Sequence, residues 1–133
     1  MVRSALTRRI GLVTILVPDY DDAIEHFCQD LGFELVEDTP QGGKRWVVVR
    51  PAADAETGIV LAQATTPAEH AAIGNQLGGR VGFFLHTDDF TRDHARMTAA
   101  GVHFREAPRH EPYGTVAVFD DKYGNGWDLL QPA

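Results

Sequence analysis

The sequence predicts an α+β fold made of two βαβββ modules. Three observations carry this. The chain repeats itself, its apolar period alternates between strand and helix values, and glycines close the two main helices at matching places. Asp19-Tyr20 falls on Asp89-Phe90, Gly32 on Gly101, Val47–Val49 on Val116–Val118, and Leu61–Gln63 on Leu129–Gln131, with a separation that drifts from 70 through 69 to 68. A repeat of that length holds a strand, a helix and further strands, and implies a pseudo-symmetric pair of units. Module one covers about residues 10–63, a linker 64–79, and module two about 80–132, all within one domain of 133 residues.

Each element has a local reason. Residues 10–17 are apolar and β-branched, as a buried strand is. Pro18-Asp19 ends it, and Asp19 or Asp21 caps a helix over about 20–31 whose stripe is Ala23, Ile24, Phe27 and Leu31. Gly32 stops that helix in the left-handed conformation. Phe33–Glu37 is a short strand and residues 39–43 a turn. Strands follow at Arg45–Arg50 and Gly58–Gln63. In the linker, Thr66-Pro67 marks a helix start. Module two repeats the order: strand 80–87, helix 90–100 capped by Asp88 or Asp89 and closed by Gly101, and strands at about 102–105, 114–119 and 126–131. Asp120–Asn125 makes the last turn. Residues 1–8 read as a frayed end.

Composition limits the function. The net charge is −7 with dispersed acids, which argues against nucleic acid as a partner. No apolar run reaches membrane-spanning length, and the basic start lacks a leader's apolar stretch. Cys28 is the single cysteine. It suits a reducing, cytoplasmic location and reads as a small core residue.

The segments VTILVPDYDDAIEHFCQDLGFELVED, AAGVHF and FDDKYGNGWDLLQ resemble the vicinal oxygen chelate superfamily, which includes glyoxalase I, the bleomycin and fosfomycin resistance proteins and the extradiol dioxygenases. The resemblance covers about residues 10–132. It departs at Lys122, where the closing hairpin usually has Pro, and at Asp128, where it often has Glu. It implies two modules side by side, forming an eight-stranded open cup with helices outside and a small ligand within. It also implies a homodimer, since many members build each cup across two chains.

Strand parity assigns the faces independently. Val13, Ile15 and Val17 pack under the helix, so Leu12, Thr14 and Leu16 face the cup. Phe83 and Leu85 pack likewise, so Gly82, Phe84 and His86 face the cup. Ile59, Leu61, Trp127 and Leu129 face the helices; Val60, Ala62, Asp128 and Leu130 face in. On the third strand of each module, Trp46, Val48 and Arg50 form one row, with Thr115, Ala117 and Phe119 as its expected twins.

The resemblance implies metal ligands at Leu12, Val60, Gly82 and Asp128. Three of these cannot ligate a metal, so no metal and no cofactor is expected. The expected partner is an apolar or aromatic small molecule held by Leu12, Thr14, Trp46, Arg50, Val60, Phe84 and Tyr113. His86 interrupts an apolar row and is the best polar candidate. The alternative is a glyoxalase- or dioxygenase-like enzyme (lyase, isomerase or oxidoreductase), with a displaced metal or with His86 and Asp128 as acid and base. Side chains such as Trp46 and Phe84 are more often core than ligand platform, and Arg50 is compatible with a surface ion pair.

Overall fold

In a computed structural model, residues 7–133 are described. Six of the eight residues expected to fray at the start lie outside that range. Four strands form the first sheet: β1 (Leu12–Val17), β2 (Glu34–Gln41), β3 (Lys44–Arg50) and β4 (Gly58–Gln63). Their spatial order is β1-β4-β3-β2, with β1 and β4 parallel and the rest antiparallel. The second sheet holds β5 (Val81–His86), β6 (His103–Phe104), β7 (Arg109–Glu111), β8 (Gly114–Asp120) and β9 (Gly126–Pro132). Its order, β5-β9-β8-β6 with β7 also on β8, repeats the first. The expected eight strands become nine because β7, in a segment that reads as loop, adds a second short strand to β8 beside β6, the strand expected at 102–105.

Three helices complete the chain: α1 (Tyr20–Glu25), α2 (Pro67–Ala72) and α3 (Phe90–Ala99). Their caps follow from the sequence. Asp19 accepts from the Asp22 amide, Thr66 from Glu69 and Asp89 from Arg92, each by a side-chain oxygen near 3 Å. Gly32 and Gly101 follow the first and third helices with φ of 77° and 90°, a region closed to most side chains. The helix expected over 20–31 changes character midway. From His26 to Asp30 it is π-helical, with the Leu31 amide reaching back to the His26 carbonyl. Strand β2 is longer than expected and absorbs Thr39-Pro40-Gln41. Proline is tolerated there because β2 is an edge strand.

The parity of the first and last strands holds. Ile15, Val17, Ile59, Leu61, Trp127 and Leu129 are all buried in one core, with Phe83 and Leu85 packed against it. The third-strand twins are a correction. Val47 and Val49 enter the core from β3, but Ala117 and Phe119 do so from β8. Val118 pairs with Asp128, so it is Val116 and Val118 that share the outer face. The repeat is 70 residues there, not 69, and a one-residue slip exchanges the faces.

The core joins the two sheets. Phe27 and Phe33 of the first half lie 6.1 and 5.8 Å from Trp127 of the second. A polar clamp surrounds this contact. His26 is 5% exposed. Its Nε2 accepts from the Lys122 amide at 2.9 Å, so Nδ1 carries the proton and donates to Asp30 at 2.8 Å. Asp22 accepts from the Tyr123 hydroxyl at 2.6 Å and also pairs with Lys122. The Lys122 and then the Tyr123 hydrogen bond hold the Asp22 carboxyl below its usual range. Burial and then Asp22 hold the Tyr123 phenol above its own. Asp121 is 4% exposed. It accepts from the Tyr123 and Asn125 amides, the Asn125 side chain and the Trp127 indole, at 2.9–3.0 Å.

This arrangement predicts that Asp121→Ala lowers unfolding stability in urea by about 3 kcal/mol or more, since four donor groups, three of them in buried bonds, lose their acceptor. His26→Ala should cost about 2 kcal/mol, and Asp88→Ala, on an exposed side chain, less than about 0.5 kcal/mol. Equal midpoints for all three would remove the clamp from the account.

Candidate functional site

On the first sheet, the outer face carries Leu12, Thr14 and Leu16 of β1 opposite Gly58, Val60 and Ala62 of β4. Val48 pairs with Val60, which places Trp46, Val48 and Arg50 on the same face. A cavity of about 390 Å³ lies at one end, walled by Leu16, Trp46, Val60, Ala62 and Tyr20 and edged by Arg45 and Glu69. At the other end Leu12, Val48 and Arg50 converge over Gly58, each within 3.2 Å of where a β-carbon would stand.

On the second sheet, one row runs Phe84–Asp128–Val118 and the next His86–Leu130–Val116–Arg109. Phe84 is 61% exposed and Tyr113 53%, and on the first sheet Leu12 is 39% exposed. Asp128 is half-buried, and no hydrogen bond to it is found among the described residues. Burial, the largest cause, raises its carboxyl above the ordinary value; Arg109 opposes this and Glu106 adds to it. Arg109 and Glu106 form an ion pair at 2.9 Å, and Glu106 also accepts from the Val118 amide at 2.9 Å. Sequence reading passed over both residues, because the segment between β6 and β8 reads as loop. The only hint was their three-residue spacing.

His86 and Asp128 share a face but sit one diagonal apart, and no hydrogen bond joins them among the described residues. His86 is exposed and borders a separate cavity of about 440 Å³. That cavity lies between Gly32 and Pro51-Ala52 on one side and Thr87, Arg92 and Arg96 on the other. His94 stacks between Phe90 and Phe104, with ring centroids at 5.4 and 4.3 Å, as a structural histidine would. Cys28 packs against the core, and burial pushes its thiol pKa up.

The positions where the fold's relatives hold a metal do not fit one. Leu12 and Val60 have no donor atoms. At Gly82 a β-carbon would stand 2.0 Å from a methyl of Leu77, so the linker side chain fills the space a ligating side chain would need. Among the described residues no three His, Cys, Asp or Glu side chains converge in a metal-holding group. Nor is any described helix long and apolar enough to cross a membrane.

The linker also caps a strand edge. The Gln76 carboxamide accepts from the Leu16 amide at 2.7 Å and donates to the Thr14 carbonyl at 3.0 Å, as a neighbouring strand would. The two sheets share no strand pairing.

The sheet order, the twin helices and the Asp121–Asn125 hairpin agree with a sequence match. Residues 9–129 match the family described as the Glyoxalase/Bleomycin resistance protein/Dioxygenase superfamily. The chain belongs to this superfamily. An uncharacterised protein of Shewanella frigidimarina is 51% identical over 121 residues, 90% of each chain. Among solved structures, UcmS2 is similar with a TM-score of 0.81 and 31% identity, over 94% of this chain and 98% of that one. TnmS3, an antibiotic binding protein from Streptomyces sp. CB03234, has a TM-score of 0.77 and 30% identity, over 98% of this chain and all of that one. Superfamily membership leaves the chemistry to the site, because one scaffold carries several functions.

The raised Asp128 carboxyl has a signed consequence for stability. Its folded value lies above the unfolded value of 3.8, so ionisation opposes folding above the folded value. Below the unfolded value both states hold the proton and the penalty vanishes. Asp128→Asn should therefore raise the melting temperature at pH 7, and the gain should fade to nothing as the pH falls toward the unfolded value. A gain that does not vary with pH would refute this account of Asp128.

Proposed function

We propose that the protein binds an apolar or aromatic small molecule on the outer, concave face of its sheets, without a catalytic metal, and that a second copy of the chain completes the cup. The observation that carries the reading is the replacement of metal donors by an apolar wall. Leu12 and Val60 stand at two ligand positions, Leu77 fills a third, and Trp46 and Leu16 extend the wall into a cavity. Apolar walls with a few polar groups are the usual build of a small-molecule site. The likeness to an antibiotic binding protein at 30% identity supports the same class of activity.

The second copy follows from exposure. Phe84, Tyr113 and Leu12 leave large apolar surfaces open in one chain, and the two concave faces share no strand pairing. A two-fold interface that brings one chain's first sheet against its partner's second would cover them. The acid–base alternative would require His86 and Asp128 to share a proton, and they lie one diagonal apart on the sheet face.

The test uses an uncharged fluorescent arene, N-phenyl-1-naphthylamine. Wild-type protein should bind it and sediment as a dimer at micromolar concentration. Val60→Trp, which fills the floor of the face, should weaken binding at least about tenfold. Elemental analysis should find no stoichiometric metal, and a chelator should leave the melting temperature unchanged. One metal ion per chain, or dye binding untouched by Val60→Trp, would overturn the reading.

A further inference from the structure

Arg50 stands out on this face. Three arginines on or beside the sheets are paired: Arg45 with Asp38 and Asp21, Arg105 with Asp120, Arg109 with Glu106. Arg50 has no carboxylate within 4 Å among the described residues, although Glu34 is its cross-strand neighbour. It is half-buried, and its Nε is a buried polar atom without a hydrogen-bond partner. A buried N–H left unpaired is costly, and a guanidinium more so than an amide. The Nε is closed to solvent, so the terminal guanidinium nitrogens of this half-buried residue are the donors that a group from outside the chain could reach.

Its surroundings say what that something is. The Arg50 stem lies over Gly58 beside Leu12 and Val48, at one end of the apolar face. Trp46 lies four residues away along the same strand row, about 13 Å at the usual strand rise. An occupant that spans this row meets an aromatic platform, then aliphatic wall, then a cation. Gly58 lets the Arg50 stem pack down beside Leu12 and Val48, since a β-carbon there would stand 3.1–3.2 Å from all three.

We infer that Arg50 is the anion subsite of this face, and that the ligand is an elongated aromatic molecule bearing an acidic oxygen group, such as a carboxylate or sulfonate, at one end. This rests on the reading of the concave face as a binding site. The planar fork of the guanidinium donates two parallel hydrogen bonds to such a group, and an ammonium in its place gives charge without that geometry.

The experiment compares two dyes that share one arene. 8-Anilinonaphthalene-1-sulfonate carries an anion, and N-phenyl-1-naphthylamine does not. Arg50→Met should weaken the sulfonated dye by about tenfold or more while the uncharged dye changes by less than about twofold. Arg50→Lys should recover part of the difference. Arg50→Gln serves in its place if the Met variant does not melt cooperatively. Wild-type protein that binds neither dye would sink the binding reading as a whole. Binding of both dyes with an unchanged affinity ratio in Arg50→Met would sink the Arg50 assignment alone. A lost sulfonate preference accompanied by a change in sedimenting mass would overturn it too, by placing Arg50 in contact between copies.

Discussion

Trp127 is the point through which the two halves of the chain communicate. Its ring meets Phe27 and Phe33 of the first half and Phe83 and Phe119 of its own sheet, with centroids between 4.7 and 6.1 Å. Its indole N–H, which cannot be left unpaired in such a place, donates to Asp121. Asp121 in turn shapes the hairpin that presents Lys122 and Tyr123 to His26 and Asp22. One buried aromatic residue thus couples core packing, hairpin geometry and the seam between the sheets. Because the helix-facing side chains of both sheets are committed to this core, the opposite faces are free to carry a ligand.

Those faces carry apolar side chains at positions where a metal site would need donors. A metal site requires several donors converging within about 2 Å of one point. Leu12 and Val60 bring no donor atom to these faces, and Leu77 covers Gly82. The same side chains make the face apolar. Polar character then collects in two places, Arg50 on the first sheet and the Asp128–Arg109–Glu106 group on the second. The two differ in kind: the second group is largely satisfied within the chain, and Arg50 is not.

The linker does more than connect. With no counterpart in the repeat, it offers Gln76 to the open edge of β1 and Leu77 to the space above Gly82. An edge strand with free amides and carbonyls invites pairing with other chains. A side-chain amide that makes both bonds blunts that edge at two residues and leaves the concave face clear.

Much of the fold was legible in the amino-acid order, and the reason is periodicity. Strand parity depends only on the two-residue alternation, so Ile15, Leu61, Phe83 and Trp127 could be placed inward before any tertiary contact was known. Capping by Asp19 and Asp89 and closure by Gly32 and Gly101 are likewise local. The third strand of the second module was misread because Val116–Val118 is apolar at every position, and alternation carries no information in such a run. The π-helical turn at His26, the seat of Glu106 on the Val118 amide, the lone guanidinium of Arg50 and the seating of Gln76 and Leu77 were invisible to any local rule. Each depends on which distant residue arrives beside it, and that is decided only when the two sheets close on Trp127.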